Sequence, residues 1–294
     1  MKVLVTGGAG YIGSHVVMLL CDEGHDVVVL DDLSLGTKEA VDKRALFIEG
    51  SILNNDDLSR SLSDVKIVIH LAAYKSAGES MQDPQKYSQN NVLGSKRLIS
   101  AMIENKIKNI IFSSSAAVYG APEYLPLDEK HPLKPINHYG YTKLQTEKTI
   151  YLYGNEGQIT FANLRYFNAA GYDARGRIST QEKNPVNLIP SVMEVATGIR
   201  DKLLVYGDNF DTVDGTGIRD YVHVSDLARA HLAAIELISN NQSATINLGS
   251  EKQYSVMDVI RMTEKITGKE IPYEVVKRRD GDPDKIYASS ENAK

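Results

Sequence analysis

The sequence TGGAGYIG, residues 6–13, places Gly7, Gly10 and Gly13 between two apolar segments. Residues 2–5 (KVLV) predict a short buried strand, and the apolar spacing after the last glycine predicts a helix. A glycine turn between a strand and a helix lets a pyrophosphate approach the main chain and reach the free N–H groups of the helix. A turn that is glycine-rich for structural reasons alone is the alternative at this point.

The next predicted strand decides between the two interpretations. Residues 25–30 (HDVVVL) are strand-like and lead into Asp31. An acidic side chain about 20 residues beyond the glycine turn can accept hydrogen bonds from the ribose hydroxyls of an adenosine. Asp32 follows, and residues 33–36 contain no Arg or Lys, so a 2′-phosphate would be repelled. The sequence therefore predicts dinucleotide binding, with NAD favoured over NADP.

Composition excludes several classes of function. The net charge of −5 gives no general attraction for nucleic acid or for an anionic membrane. Cys21 is the only cysteine, so no internal disulfide can form. No apolar run approaches the ~20 residues that a membrane-spanning helix needs. The seven histidines form no metal-ligand cluster at a usual spacing, so we expect no metal. A cytoplasmic protein is the default expectation.

Strand-like runs recur along the first half of the chain, with helical patterns between several of them. This alternation predicts an α/β fold, a Rossmann-like doubly wound parallel sheet with a smaller C-terminal substrate-binding lobe. We expect residues 1–167 to form the dinucleotide-binding domain. Residues 168–294 should form mainly the substrate lobe, with some segments returning to the main sheet. Long helices are predicted near residues 84–105 and 138–153.

Tyr139 and Lys143 form a Y-x-x-x-K pair, and the same pattern recurs at Tyr273 and Lys277. The first pair opens a predicted helix, where residues i and i+4 lie one turn apart. The second pair lies in a strand-like run, where four steps separate the side chains by roughly 13 Å. Only Lys143 can therefore lower the pKa of its tyrosine and make the phenol a usable base. A surface helix pair is the alternative.

Ser115 lies at the predicted carboxyl end of the fifth strand, the edge at which open parallel sheets bind ligands. Its hydroxyl could share a substrate oxygen with Tyr139, although it could also satisfy a backbone group at the strand end. Because Ser115, Tyr139 and Lys143 follow the nucleotide motif in chain order, we predict a Ser-Tyr-Lys oxidoreductase site.

Several stretches carry a resemblance to a known family that covers nearly the whole chain. The stretches are TGGAGYIGSH (6–15), VIHLAA (68–73), GES (78–80), NNV (90–92), FSSSAAVYG (112–120), YGYTK (139–143), LRYFNAAG (164–171), DGTGIRDYVHV (214–224) and RRDGDP (278–283). With them the chain resembles the extended short-chain dehydrogenase/reductase family and, within it, the UDP-glucose (UDP-galactose) 4-epimerases. The last three stretches are the most specific to the epimerases.

The resemblance implies roles toward NAD at matching positions. Ser51 stands where the family usually has Asp, so the adenine contact is expected to be weaker or different. The cofactor-binding residues implied by the motif and the resemblance together are Gly7, Gly10, Tyr11, Ile12, Gly13, Asp31, Ser51, Ile52, Leu71, Ala72, Ala73, Lys75, Asn90, Ser115, Tyr139, Lys143 and Phe167.

The resemblance also implies a UDP-sugar as substrate. The alternative for Arg219 and Arg279 is a surface ion pair with Asp220 or Asp280. Besides Ser115 and Tyr139, the implied substrate-binding residues are Asn168, Asn187, Leu188, Leu204, Tyr206, Arg219, Arg279 and Asp282.

The implied activity is NAD-dependent interconversion of UDP-galactose and UDP-glucose through a 4-keto intermediate, within galactose metabolism. Ile286 falls near the position that gates sugar size, which leaves UDP-N-acetylglucosamine open as a substrate. One extra arginine contact could shift the preference to UDP-glucuronate, which is also left open. A sugar-nucleotide 4,6-dehydratase is disfavoured because Ala116 and Ala117 replace its Asp-Glu pair. A non-catalytic NAD-binding module is the alternative from another class.

The resemblance further implies a homodimer built on the two long helices. Family members usually continue for tens of residues beyond the position of residue 294, so apolar surface on the substrate lobe is expected to be uncovered.

Overall fold

The computed structural model describes residues 1–178, 180, 185, 187–279 and 281–294. Its strands are most regular in the first half of the chain, where the sequence predicted alternation with helices. The strands are β1 (Lys2–Thr6), β2 (Asp26–Asp31), β3 (Leu46–Glu49), β4 (Ile67–His70), β5 (Asn109–Ser115), β6 (Thr160–Tyr166), β7 (Asn168–Ala170), β8 (Leu203–Tyr206), β9 (Ile218–Arg219), β10 (Tyr221–His223), β11 (Ala244–Leu248), β12 (Tyr254–Ser255), β13 (Tyr273–Val276) and β14 (Lys285–Ile286).

The helices fill most of the intervals between these strands. Short 3₁₀ turns cover Lys38–Ala40, Ala116–Val118 and Glu291–Ala293. The helices are α1 (Tyr11–Asp22), α2 (Asn55–Ser61), α3 (Ala77–Gln82), α4 (Pro84–Tyr87), α5 (Ser95–Glu104), α6 (His138–Asn155), α7 (Leu188–Thr197), α8 (Val224–Ser239) and α9 (Val256–Thr267).

A seven-stranded sheet in the order β11-β6-β5-β4-β1-β2-β3 forms the centre of the molecule. Every pair of neighbours in this sheet is parallel. The order steps outward from β1 in both directions, which brings the chain to both faces and places the carboxyl ends of all strands at one edge. The predicted α/β fold with a Rossmann-like parallel sheet is confirmed.

The two faces of the sheet bury separate apolar clusters because side chains alternate along each strand. Val3 and Val5 pack with α1 and α8, whereas Leu4 packs on the other face with residues of α2 and α5. The central strand β4 is buried at all four positions, as is usual for a strand with helices on both faces of a parallel sheet. The sheet therefore forms a rigid platform below its carboxyl edge.

Residues beyond β6 build a smaller apolar cluster of their own. Helices α7 and α9 pack against the parallel pair β8 and β13, with Val192, Leu203, Ile260 and Ile271 buried between them. Strand β11 instead returns to the main sheet beside β6.

Two local features differ from the sequence prediction. The long helix expected over residues 84–105 contains a π-helical stretch, Ser88–Gly94, between α4 and α5. Helix α3 was not predicted, because its sequence AGESMQ has no clear apolar period; the Ser76 hydroxyl caps it by accepting from the Glu79 N–H. No helix in the described part of the chain is long and apolar enough to cross a membrane.

Gly13 offers a direct test of the packing between α1 and the turn. A Cβ at this position would lie 2.1 Å from the Gly7 carbonyl oxygen, a contact that backbone atoms cannot relieve without moving. We expect Gly13→Ala to destabilise the fold by about 1–3 kcal/mol, measured by urea unfolding. Gly78→Ala is the control, since a Cβ in this helical position meets nothing within 4 Å. It should be neutral or stabilise by about 0.5–1 kcal/mol. Equal effects of the two changes would contradict the packing argument.

Candidate active site

One large cleft of about 760 Å³ opens at the carboxyl edge of the sheet. It begins at the glycine turn, crosses the ends of β4, β5 and β6, and reaches the smaller apolar cluster. All the cofactor-binding and substrate-binding residues predicted from the sequence line this cleft, from Gly7 at one end to Asp282 at the other. The structure thus brings together residues that are more than 270 positions apart in the chain.

The glycine turn packs closely against the segment that follows β4. Gly7 adopts a φ of +75°, and a Cβ there would lie 2.6 Å from the Ala72 nitrogen. Gly10 precedes α1 without any side-chain cap, and no acidic side chain lies in the first turn of this fully described helix. The N-terminus of α1 therefore presents main-chain N–H groups and the positive end of its dipole to the cleft.

Asp31, the last residue of β2, is 8% exposed and is hydrogen-bonded to the glycine turn. Its carboxylate accepts hydrogen bonds from the Ala9 N–H (2.9 Å) and the Leu33 N–H (2.9 Å). Burial raises the pKa of this carboxyl, and the two N–H donors act in the opposite direction. The sequence predicted Asp31 as a ribose ligand only, whereas the structure also makes it part of the glycine turn.

Ser51 and Ile52, which the resemblance predicts to lie beside the adenine, line the cleft. The Ser51 hydroxyl accepts from the Leu53 N–H at 3.2 Å, and the Ser51 N–H donates to Asp57 at 2.9 Å. This serine therefore shapes its own loop. Ile52 is 4% exposed and offers an apolar wall at the same place.

Ser115, Tyr139 and Lys143 meet at the middle of the cleft because α6 packs very close to the end of β5. The helix begins at Asn137, whose side chain accepts from the Gly140 N–H at 2.8 Å. Gly140 is required there, since a Cβ would lie 2.3 Å from the Ala117 carbonyl oxygen. Ser115, whose hydroxyl accepts from the Ala117 N–H at 3.2 Å, therefore lies close enough to Tyr139 to act on the pKa of its phenol.

Lys143 lies one turn further along α6 and is 4% exposed. Its ammonium donates to the Ser113 carbonyl oxygen at 2.8 Å and lies 5.8 Å from the centre of the Tyr139 ring. The helical geometry predicted for this pair is confirmed. The second Y-x-x-x-K pair differs as expected, since Tyr273 lies on β13 and is 47% exposed.

Burial is the largest influence on the ionisation of both groups. It raises the pKa of Tyr139 to about 12, while the hydrogen bond with Ser115 acts to lower it. It lowers the pKa of Lys143 to about 7, an effect that the Glu147 carboxylate opposes. The sequence argument expected Lys143 to lower the pKa of Tyr139. Burial raises that pKa instead, and Ser115, rather than Lys143, is the side chain that opposes the effect.

The far end of the cleft contains cationic and aromatic side chains. The Arg219 guanidinium donates to Asp282 at 2.6 Å, rather than to the neighbouring Asp220 considered as an alternative. The Arg279 guanidinium lies 3.8 Å above the centre of the Tyr206 ring. Asp280, the alternative partner considered for Arg279, lies outside the described residues. Both arginines remain on the wall of the cleft, where an anion could bind.

Sequence reasoning missed several aromatic residues of the cleft wall. Tyr166 and Tyr221 lie next to predicted site residues, so strand alternation at β6 and β10 was the available signal. Tyr172 and Phe210 lie in loops, and no periodicity in the sequence marks them. The described residues contain no group of three or more His, Cys, Asp or Glu side chains arranged to hold a metal ion.

The parallel sheet, glycine turn and cleft define an α/β protein of the dinucleotide-binding class, with a Tyr-Lys pair beside the cofactor position. The chain belongs to the NAD dependent epimerase/dehydratase family, whose family model matches residues 3–249. The family membership predicted from the sequence is confirmed.

Full-length relatives agree with this assignment. The chain is 44% identical to a UDP-glucose 4-epimerase of Lactobacillus helveticus over 297 residues, which cover 100% of this chain and 90% of the relative. It is 42% identical to the Brucella ovis UDP-glucose 4-epimerase solved in complex with NAD, with a TM-score of 0.95 over 99% of this chain and 90% of the other. The Bifidobacterium longum enzyme, solved in complex with NAD⁺ and UDP, is 37% identical, with a TM-score of 0.94 over 100% and 91%.

Replacing Asp31 by Ala should weaken NAD binding, because a charged hydrogen-bond acceptor is lost at the ribose position and the turn loses its clamp. Charge-assisted hydrogen bonds of this kind contribute about 1.5–3 kcal/mol, or roughly a tenfold to hundredfold change in affinity. Calorimetric titration of cofactor-depleted protein with NAD measures this change in affinity. Asp32→Ala is the matched control, since Asp32 is exposed and bonds the Ser34 N–H. An Asp31 variant with undiminished NAD affinity would refute the assigned contact.

Proposed function

We propose that the protein interconverts UDP-galactose and UDP-glucose by inverting C4 of the sugar with a retained NAD cofactor. The observation that carries this proposal is the position of Ser115, Tyr139 and Lys143. They lie in the middle of one cleft, between a glycine turn suited to a dinucleotide and an arginine-containing wall suited to a nucleoside diphosphate.

Tyr139 acts as the base and the acid of the reaction. Its phenol oxygen removes the proton of the sugar 4-hydroxyl as the 4-keto sugar forms, and returns a proton when the keto group is reduced. The Ser115 hydroxyl donates to the same sugar oxygen and holds it beside Tyr139. The Lys143 ammonium stabilises the phenolate through space.

The residues present fit NAD. The glycine turn suits the pyrophosphate, because Gly7 and Gly13 leave no room for a side chain and keep the main chain open to a close approach. The N-terminus of α1, which has no side-chain cap, offers its N–H groups to the same phosphates. Asp31 suits the adenosine ribose, and Lys75, Asn90 and Phe167 line the path toward the catalytic pair. When bound, NAD supplies the hydride acceptor and donor that no side chain provides.

The UDP end is held more firmly than the sugar. Arg219 and Arg279 suit the diphosphate, and each is already oriented, one by Asp282 and the other by the Tyr206 ring. Asn187 and Leu188, at the start of α7, and Leu204, on β8, add contacts from the smaller cluster. Such a site anchors the nucleotide while the keto sugar turns to present its other face.

The alternatives make different demands on the same site. A 4,6-dehydratase needs an acid and a base directly after the strand, but Ala116 and Ala117 occupy the turn that follows Ser115. Epimerisation of UDP-N-acetylglucosamine or UDP-glucuronate uses the same catalytic pair and differs in the sugar pocket. A non-catalytic NAD-binding module would not need the Tyr139 hydroxyl.

A coupled assay tests the function itself. Purified protein is given UDP-galactose without added NAD, and UDP-glucose is measured. Turnover is expected because retained cofactor is regenerated in each cycle. Absence of turnover with added NAD, and also with UDP-N-acetylgalactosamine and UDP-galacturonate, would overturn the proposal.

Tyr139→Phe should lower kcat by about 10²- to 10⁴-fold, the usual contribution of a positioned acid–base group. KM should change little, because the diphosphate contacts lie elsewhere. Tyr273→Phe is the matched control, since it removes the same hydroxyl from the second Y-x-x-x-K pair, on exposed strand β13. Full activity of Tyr139→Phe would favour a base other than this tyrosine.

Four further statements stay predictions. They are the division into domains 1–167 and 168–294, a cytoplasmic location, a role in galactose metabolism and a homodimer. Exposed apolar side chains on the helices predicted for the dimer, such as Leu152 and Tyr141, support the last of these. Analytical ultracentrifugation of the purified protein tests it.

A further inference from the structure

Glu147 is a completely buried carboxylate that the proposed chemistry does not use. It lies one helical turn after Lys143 on α6, with 0% of its surface exposed. Arg165 on β6 binds it through two parallel contacts, Nε to Oε1 at 2.9 Å and Nη2 to Oε2 at 2.6 Å. The Ser114 hydroxyl donates to Oε1 at 2.5 Å.

Three consecutive serines at the end of β5 all lie against α6. The Ser113 carbonyl oxygen accepts from Lys143, and its hydroxyl pairs with His231 on α8 at 2.9 Å. The Ser114 hydroxyl turns to the opposite face and binds Glu147. Ser115 enters the cleft on the side of Tyr139. Glu147 thus fixes Ser114, which lies between Ser113, the acceptor for the Lys143 ammonium, and Ser115.

We propose that Glu147, clamped by Arg165 and Ser114, is a positioning residue for catalysis: it is the counter-charge that keeps the Lys143 ammonium charged in a dry site. This inference rests on the proposed function for its role in turnover. Its effect on Lys143 is argued from the placement of both buried side chains one turn apart on α6 and from the negative charge that Glu147 carries there.

The charge balance around Glu147 supports the proposal. Ser114 approaches from β5 and Arg165 from β6, and both side chains contact the carboxylate directly. Arg165 is further bonded to Tyr119 at 3.1 Å, which donates to Asn247 at 2.6 Å. Around Lys143 itself, the other titratable groups on the packed elements are His70 on β4, Tyr139 on α6 and Tyr166 on β6.

These neighbours leave Glu147 as the source of negative charge. Burial lowers the pKa of His70 to about 3, so this ring is neutral near pH 7. Tyr166 is also neutral, because burial raises the pKa of its phenol. Burial lowers the pKa of Lys143 to about 7, and the Glu147 charge is what opposes that effect. Replacing this carboxylate by an amide leaves the Arg165 charge uncompensated beside the ammonium.

Three variants separate charge from shape. Glu147→Gln keeps the shape and removes the charge, whereas Glu147→Asp keeps the charge and changes the shape. The double variant Glu147→Gln with Arg165→Met removes both charges. If the Glu147→Gln variant fails to fold, the double variant can still be measured, because replacing a whole buried ion pair by neutral side chains is better tolerated than removing one partner. Glu156→Gln, at the exposed end of α6, is the control for the same change in net charge.

The first measurement follows the Lys143 side chain directly. The Cε resonance of ¹³C-lysine-labelled protein, assigned by its loss in Lys143→Met, is titrated with pH. We expect the midpoint in Glu147→Gln to fall by at least about one pH unit, a tenfold change in the proton equilibrium. The double variant should fall less, and Glu147→Asp and Glu156→Gln should remain near the unmodified protein.

The second measurement is the pH profile of kcat with UDP-galactose. Loss of negative charge makes every deprotonation of the coupled Tyr139–Lys143 pair easier, so the alkaline limb should move to lower pH in Glu147→Gln. KM should stay unchanged, because the diphosphate site is untouched. A merely structural role would make Asp as damaging as Gln and would leave the limb in place.

An unshifted Lys143 midpoint in folded Glu147→Gln or in the double variant would overturn the proposal, as would an Asp variant shifted as far as Gln. If the unmodified protein turns over UDP-galactose in those experiments, the proposed function stands even though the role of Glu147 is refuted. If the unmodified protein shows no turnover, the proposed function fails, and the resonance titration still decides whether Glu147 supports the Lys143 charge.

Discussion

The hydrogen bond from the Lys143 ammonium to the Ser113 carbonyl, 2.8 Å long and closed to water, is the contact around which the middle of the molecule is organised. It requires α6 to approach the end of β5 until only a glycine fits at position 140. That approach places Tyr139 beside Ser115. The arrangement of Ser115, Tyr139 and Lys143 exists only while this helix and strand remain in contact.

Burial creates a problem that the catalytic residues cannot solve by themselves. It raises the pKa of Tyr139 to about 12 and lowers that of Lys143 to about 7, so the neutral forms of both are favoured. The reaction needs the opposite, a phenolate beside an ammonium. Compensation must come from charges fixed by the fold, because burial removes most of the solvent that would stabilise the charged forms. Glu147 is such a charge, and Arg165 stabilises it in turn.

Local sequence patterns predicted the fold well, because the glycine turn, the apolar strands and the helical periods are each encoded within a few residues. The same reasoning distinguished Tyr139 on a helix from Tyr273 on a strand. It could not find the Glu147–Arg165 pair, whose members lie 18 residues apart on different elements and show no pattern before the sheet forms. It also missed the bond from Asp31 to the Ala9 N–H, because a side chain that fits a ligand gave no sign of a second role in the turn.

Strand β6 shows how these separate contacts become one unit. Its alternation directs Arg165 toward α6 and the next residue, Tyr166, to the other face, while Leu164 lies opposite Ser113 in the sheet. Phe167 and Asn168 then continue into the cleft. One short segment therefore touches the buried counter-charge, the acceptor of the ammonium and the substrate side of the site. Because a strand cannot slip by one residue without exchanging its faces, these three contacts are fixed together by its register in the sheet.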